Sequence, residues 1–240
     1  MKKIFLITLV FISVEFISQL NTPKYSNEFL NIGVGARSLA MSNSVITSTQ
    51  GAMSGYWNPA NLSNTKNDIQ IGLMHAEYFA GIAKYDFGSI VKKIDDKSSF
   101  GFSFLRFGVD NIPNTTDLID AQGNLNYDRI TYFSAADMAF IGSYGKKISD
   151  YLSIGGSVKI INRTAGDFAQ AWGFGLDLST TYQKNNWGFA IVARDVTSTF
   201  NVWNYQLTDE MINVFNTTGN ELPQNGLELT LPRIILGINK

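Results

Sequence analysis

The sequence predicts an all-β fold, a transmembrane antiparallel β-barrel preceded by an N-terminal plug segment, and three observations carry that expectation. From residue 69 onward bulky apolar residues alternate with small or polar ones in run after run, the period-two signature of strands. Beyond the first twenty residues no stretch approaches the roughly 20 apolar residues of a spanning helix, so a membrane could be crossed only by strands. The connections between the runs alternate between tight polar turns and longer segments, the arrangement of outer-membrane barrels.

Composition narrows the solvent and the chemistry. The 240 residues include no Cys, carry a formal net charge of -1 and are 16% charged, against roughly 25% in an ordinary soluble domain, while 13% are aromatic and 21 are Gly. So little charge suits a surface wetted by something other than water. Without Cys there is no thiol catalysis, thiolate metal site or disulfide. No basic block is present, which argues against nucleic acid as a partner.

Taken in order, the chain begins with Lys2 and Lys3 before an apolar run from Ile4 to Val14. The run is too short to span, and the pattern is that of a signal peptide over 1–20, with the mature start near Asn21. Ser18, Gln19 and Leu20 form no clean cleavage motif. The expected location is the bacterial outer membrane. The next segment, 21–66, is rich in Ser, Asn, Gly and Ala and lacks alternation. Short irregular helices and loops are expected there, placed in the lumen or its periplasmic mouth. Asn58 followed by Pro59 suits a helix cap with Pro in the first turn, or a plain turn.

About eight strands are expected in 67–240, near 69–77, 81–94, 98–109, 137–147, 152–162, 171–182, 187–195 and 229–239. The clearest places Trp172, Phe174, Leu176 and Leu178 on one face and Gly173, Gly175, Asp177 and Ser179 on the other. Phe100, Phe102 and Phe104 repeat the pattern, as do Leu152 with Ile154, Trp187 with Phe189, and Tyr85 with Phe87. Alternation alone does not separate a sandwich from a barrel. The connections 110–136 and 196–228 are long and share one parity, which puts both outside the cell if the N-terminus is periplasmic. Tyr78, Phe79, Tyr144, Tyr151, Tyr182 and Trp187 gather near strand ends, as an interfacial girdle requires.

The run NIGVGARSLAMSNSVITSTQGAMSGYWNPANLS, from Asn31 to Ser63, resembles the N-terminal signature of the PorV/PorQ family of Bacteroidetes outer-membrane proteins. More distantly it is similar to the plug of long-chain fatty-acid transporters of the FadL type. The plug motif comprises Gly35, Arg37, Asn58, Pro59 and Ala60, and runs such as FSAADMAFIGSYGKK and GDFAQAWGFGLDL also look like this family. The resemblance implies a FadL-like barrel of about fourteen strands, within the even-numbered range of such proteins. It also implies a role in type IX secretion, in which cargo carrying a C-terminal signal is received or shuttled toward surface attachment. Only about eight strands are legible and Lys240 is not a terminal aromatic, so the expectation is a fragment or an incomplete barrel.

No catalytic, cofactor or metal site is expected. His75 is the only His and lies in a strand without a nucleophile motif, which favours a structural role. Asp110, Asp117, Asp120 and Asp128 share a long loop, but their spacing is not that of an EF-hand and solubility explains them more simply. Lys84, Asp86, Lys159, Asp177 and Arg194 are read as inward charges that brace the lumen in pairs around a plug. Phe200, Trp203, Tyr205, Met211 and Phe215 form a candidate partner-binding loop, with Thr208 or Asp209 capping a short helix. The expected partners are outer-membrane lipid, type IX secretion components and their cargo. The alternative is a transporter whose partner is a hydrophobic small molecule. A secreted soluble sandwich is the third reading.

Overall fold

Ten antiparallel strands form one sheet in the computed structural model, which describes residues 26–116, 118, 124–219 and 221–240. The stretch 1–20 expected to be a signal peptide and the acids Asp117 and Asp120 lie outside the described residues. The strands are β1 (Ile69–Tyr78), β2 (Ala83–Lys93), β3 (Ser98–Asn114), β4 (Thr131–Lys147), β5 (Leu152–Ala165), β6 (Ala169–Lys184), β7 (Trp187–Arg194), β8 (Thr199–Tyr205), β9 (Gly226–Thr230) and β10 (Arg233–Asn239). Three short helices accompany them, α1 (Ala36–Ala40), α2 (Ser54–Trp57) and α3 (Asp209–Thr218), with 3-10 turns at Glu28–Asn31, Gly51–Met53 and Pro59–Asn64.

Ten strands occupy only eight positions across the sheet. β6 pairs with β7 over Leu178–Lys184 and with β8 over Ala169–Phe174, so β7 and β8 are one strand broken at 195–198. β9 pairs with β8 and β10 with β7, so they too form one strand, broken at Leu231 and Pro232. The first break is made by Asp195 and Ser198, both at positive φ, and the second holds a Pro, which has no N–H for a ladder. About eight strands are expected and ten are found, in eight positions, with 199–205 and 226–228 strand where a loop was expected. That corrects the candidate loop: Phe200, Trp203 and Tyr205 stand on β8, and only Met211 and Phe215 lie in the connection, on α3. Thr208 caps α3 by accepting the Met211 N–H at 3.3 Å.

The other long connection is shorter than expected, because β3 and β4 continue past a bulge between Val109 and Ile112, where Asn111 sits at φ 58°. The sheet path runs from β1 to β10 and is open between them among the described residues. It is nevertheless strongly curved. Eight strand positions spaced about 4.8 Å apart cover roughly 34 Å. Yet Ile46 lies against Gly237 of β10 while Ala52, six residues on, lies against Gly72 of β1. Six residues reach about 20 Å fully extended, so the two edges must bend toward each other around the N-terminal segment.

The two faces differ in chemistry. Outward residues form an exposed apolar belt, from Ile71 and Leu73 on β1 through Phe102, Ile160, Phe174 and Ile191 to Leu236 on β10. Soluble monomers rarely expose contiguous apolar patches beyond a few hundred Å². The inward face is lined by small and polar residues, including Ser103, Ser143, Ser157, Ser179 and Thr181, all buried. Leu105, Ile141, Ile161 and Val192 are buried on it too, and β2 overturns an expectation. Tyr85 and Phe87 point inward and are buried, while Lys84 and Asp86 point outward. The inward rings are stabilised by the N-terminal segment, since Tyr56 packs edge-on against Phe87 and Phe29 lies in the same core. Outside, Asp86 meets His75 at 2.6 Å, and Lys84 and Arg106 pair with Asp110. Tyr78 likewise turns inward onto Tyr85, leaving Phe79 exposed at the turn.

Candidate functional site

The region between residues 26–66 and the inward face of the sheet concentrates the buried polar groups. Asn58 has an extended backbone and its Oδ1 accepts the Ala60 N–H at 3.0 Å, opening the 3-10 turn that Pro59 begins. The Asn58 amide also donates to Ile46 O at 2.7 Å and to Thr181 Oγ1 at 2.8 Å. Thr181 in turn donates to Asn61 at 2.9 Å, and the Ala60 N–H reaches Ser179 Oγ at 2.9 Å. Every one of these groups is buried, so each bond avoids a desolvation cost of about 1–3 kcal/mol. Small residues make the approach possible: a Cβ on Gly145 or Gly155 would collide with the main chain of Pro59 and Ala60.

Higher on the same face, two aromatic residues of α2 meet a cation. Arg194 of β7 donates to Tyr56 O, and its guanidinium lies over the Trp57 ring at 5.6 Å. Tyr56 Oη donates to Leu30 O at 2.7 Å and Trp57 Nε1 to Val34 O at 2.9 Å. Burial raises the Tyr56 phenol above its ordinary pKa, so it remains a hydrogen-bond donor.

Beside Arg194 sits an ionic cluster. Lys159 Nζ meets Asp177 at 2.8 Å and Asp195 at 2.5 Å, and all three residues are buried. Thr199 Oγ1 donates to Asp195, whose own N–H donates to Asp177. Arg233 completes the shell 3.8 Å from Asp195. The positive φ of Asp195 is thus explained: the strand breaks where its carboxylate must turn inward to Lys159. These groups line a cavity of about 20 Å³ with Leu30, Tyr56 and Ile141, room for a single water. A second cluster lies nearby, with Arg163 bonded to Asp137 at 2.8 and 3.2 Å and to Glu228 at 3.2 Å, under the Trp203 ring.

The start of the described segment is tied to the far strands. Asn201 donates to Ser26 and Asn27, Asn27 donates to Thr230, and Thr230 donates to Ser26 O. Trp203 and Tyr205 stack with centroids 5.9 Å apart, Phe200 faces outward beside Phe174, and Met211 and Phe215 are half-buried on α3.

The five plug-motif residues are not brought together. Asn58, Pro59 and Ala60 seat on β4, β5 and β6, whereas Gly35 lies against β1, its N–H 3.1 Å from Met74 Sδ, and Arg37 is exposed. Gly35 adopts φ 89°, which accounts for a glycine there. Of the charges read as inward, Lys159, Asp177 and Arg194 are so placed. Asp195, Arg163, Asp137, Glu228 and Asn201 were missed. All five sit in or beside stretches that read as loop, so no alternation marked their face. Asp110 serves Lys84 and Arg106 on the outer wall.

A family model described as type IX secretion system protein PorV matches residues 18–210. No curated protein matches the chain.

Proposed function

Since the chain belongs to the PorV family of type IX secretion system proteins, we propose that it is an outer-membrane barrel wall closed by its own N-terminal segment, which docks or shuttles secreted cargo through its outer connections. The seat of that segment is the observation that favours docking over passage. A transporter of hydrophobic molecules needs an apolar pocket of about 300 Å³ or more behind its plug. The space behind Leu30 and Tyr56 is instead about 20 Å³ and walled by Lys159, Asp177, Asp195, Arg194 and Arg233. Paired charges of this kind brace rather than conduct.

The belt of outward Ile, Leu, Phe and Trp supports membrane insertion, because water would leave it as one large apolar surface. In this reading the short turns at 94–97, 148–151 and 185–186 face the periplasm, and α3 with its flanking connection faces outward. The mechanism is recognition without covalent chemistry. Met211, Ile212, Val214 and Phe215 on α3 are the side chains offered to a partner.

Replacing 207–224 by a short Gly-Ser linker tests this while leaving β8 and its bond to the N-terminal segment in place. The expected result is unchanged heat-modifiable gel mobility with loss of co-purifying secretion components. Undiminished recovery of those components rules the α3 connection out as the docking element. Plug-dependent uptake of labelled fatty acid into liposomes would favour the transport reading instead.

A further inference from the structure

Of the ten lysines among the described residues, eight lie at one end of the sheet, in or beside the turns 94–97, 148–151 and 185–186 or at the start of β1 and end of β10. The connections at the opposite end, 79–82, 115–130, 166–168 and 206–225, contain none. Four carboxylates share the lysine-rich end, leaving a clear positive excess. Two of those four are engaged within their own turn: Asp95 accepts the Lys97 N–H at 2.8 Å and Asp96 pairs with Lys93 at 2.7 Å. Their pKa values are held below the usual carboxylate range by those bonds.

Four of these lysines occupy outward positions. Lys92 and Lys146 are the penultimate residues of β2 and β4, Lys184 is the last of β6, and Lys240 follows the last of β10. Their register partners are belt residues, Phe100 for Lys92, Ile154 for Lys146 and Trp187 for Lys184. All four are exposed, and among the described residues none of their ammonium groups lies within 4.0 Å of a carboxylate, although Asp95 feels the charge of Lys146. Two rest over aromatic rings at the same level, Lys184 at 5.4 Å from Tyr151 and Lys240 at 5.3 Å from Trp187. A cation unpaired by protein, seated on an interfacial aromatic at the lower margin of an apolar belt, has the position of a side chain reaching from hydrocarbon to headgroup.

We propose that this row, Lys92, Lys146, Lys184 and Lys240, holds the phosphate headgroups of anionic phospholipids in the leaflet that meets the short turns. The inference rests on the membrane-spanning reading above. A lysine ammonium suits it because a point charge with three donors accepts a mobile phosphate without a fixed geometry. At the opposite rim the one lysine among the described residues, Lys84 beside the connection 79–82, is paired with Asp110, so the preference favours one leaflet. The effect is electrostatic, so it weakens with salt.

The full chain is reconstituted into phosphatidylcholine vesicles containing spin-labelled phosphatidylglycerol or spin-labelled phosphatidylcholine, and the immobilised boundary fraction is read by electron paramagnetic resonance. At low salt the protein is expected to select phosphatidylglycerol about threefold or more, falling toward one in about 0.5 M salt. The triple variant Lys92→Gln, Lys146→Gln, Lys184→Gln is expected to lose most of that selectivity, whereas Lys84→Gln retains it. Equal retention of both lipids by the wild type, or undiminished selectivity in the triple variant, overturns the proposal and leaves the barrel reading intact. Failure of the wild type to insert, seen as unchanged gel mobility on heating, overturns both.

Discussion

Arg194 donates from Nη2 to the main-chain oxygen of Tyr56 at 3.1 Å, and its guanidinium carbon stands 5.3 Å from the centre of that same residue's ring. One strand residue thus grips one residue of the N-terminal segment twice, away from water. Arg194→Ala removes both contacts and is expected to destabilise the folded protein by about 2–4 kcal/mol, the sum of a charged hydrogen bond and a desolvated cation–π contact. Arg194→Lys should recover only part, because an ammonium cannot stack and donate in one plane. Thermal loss of heat-modifiable mobility measures both.

Gly155 is required by the close approach of Pro59 and Ala60. Gly155→Val is expected to dislodge the N-terminal segment and raise its protease cleavage rate about tenfold or more through local opening. Gly142 lies on the outer face, with Phe100 3.9 Å from where its Cβ would be, and Gly142→Val should leave the cleavage rate unchanged. Equal sensitivity of the two variants would show that the segment is not seated on β5.

Lys159 faces two carboxylates in a buried site. Lys159→Met leaves Asp177 and Asp195 opposed without their cation, at an expected cost of about 3–5 kcal/mol. Adding Asp177→Asn and Asp195→Asn should restore most of that loss, which urea-induced unfolding from vesicles can resolve. A triple variant as unstable as the single would mean that Lys159 contributes through packing alone.

Ile160 stands outward in the belt, nearly half exposed. Ile160→Arg is expected to weaken insertion by about 2–4 kcal/mol if lipid wets this face. Tyr127→Arg, in the connection between β3 and β4, should stay within about 0.5 kcal/mol. Equal folding free energies in vesicles for the two variants would remove lipid from the outer wall.

The parts of the fold that alternate strictly were legible. In β6 every bulky residue from Trp172 to Leu178 faces out, because Gly173, Gly175 and Asp177 leave the alternative face no apolar content. β2 misled for a physical reason: a strand whose inner neighbours are rings can bury Tyr85 and Phe87 inward, and then Lys84 and Asp86 take the outer wall. Period two fixes which residues share a face but not which face turns inward. β8 escaped because Asp195 to Ser198 shifts the phase of alternation, so Phe200 and Val202 no longer continue the pattern of Phe189 and Ile191. The seat of the NPA run was legible on only one side. Asn58 and Pro59 announce a cap, whereas Gly145, Gly155, Ser179 and Thr181 read as ordinary small strand residues until the chain folds back from 86 to 120 positions away.

The hydrogen bonds from Asn201 and Thr230 to Ser26 and Asn27 join positions 174 to 204 residues apart. Loop-closure entropy disfavours such links until the intervening chain is ordered. Ser26 and Asn27, early in the chain, are therefore among the last of the described residues to be fastened. A chaperone that shields the N-terminal stretch would have to stay bound until the latest strands arrive.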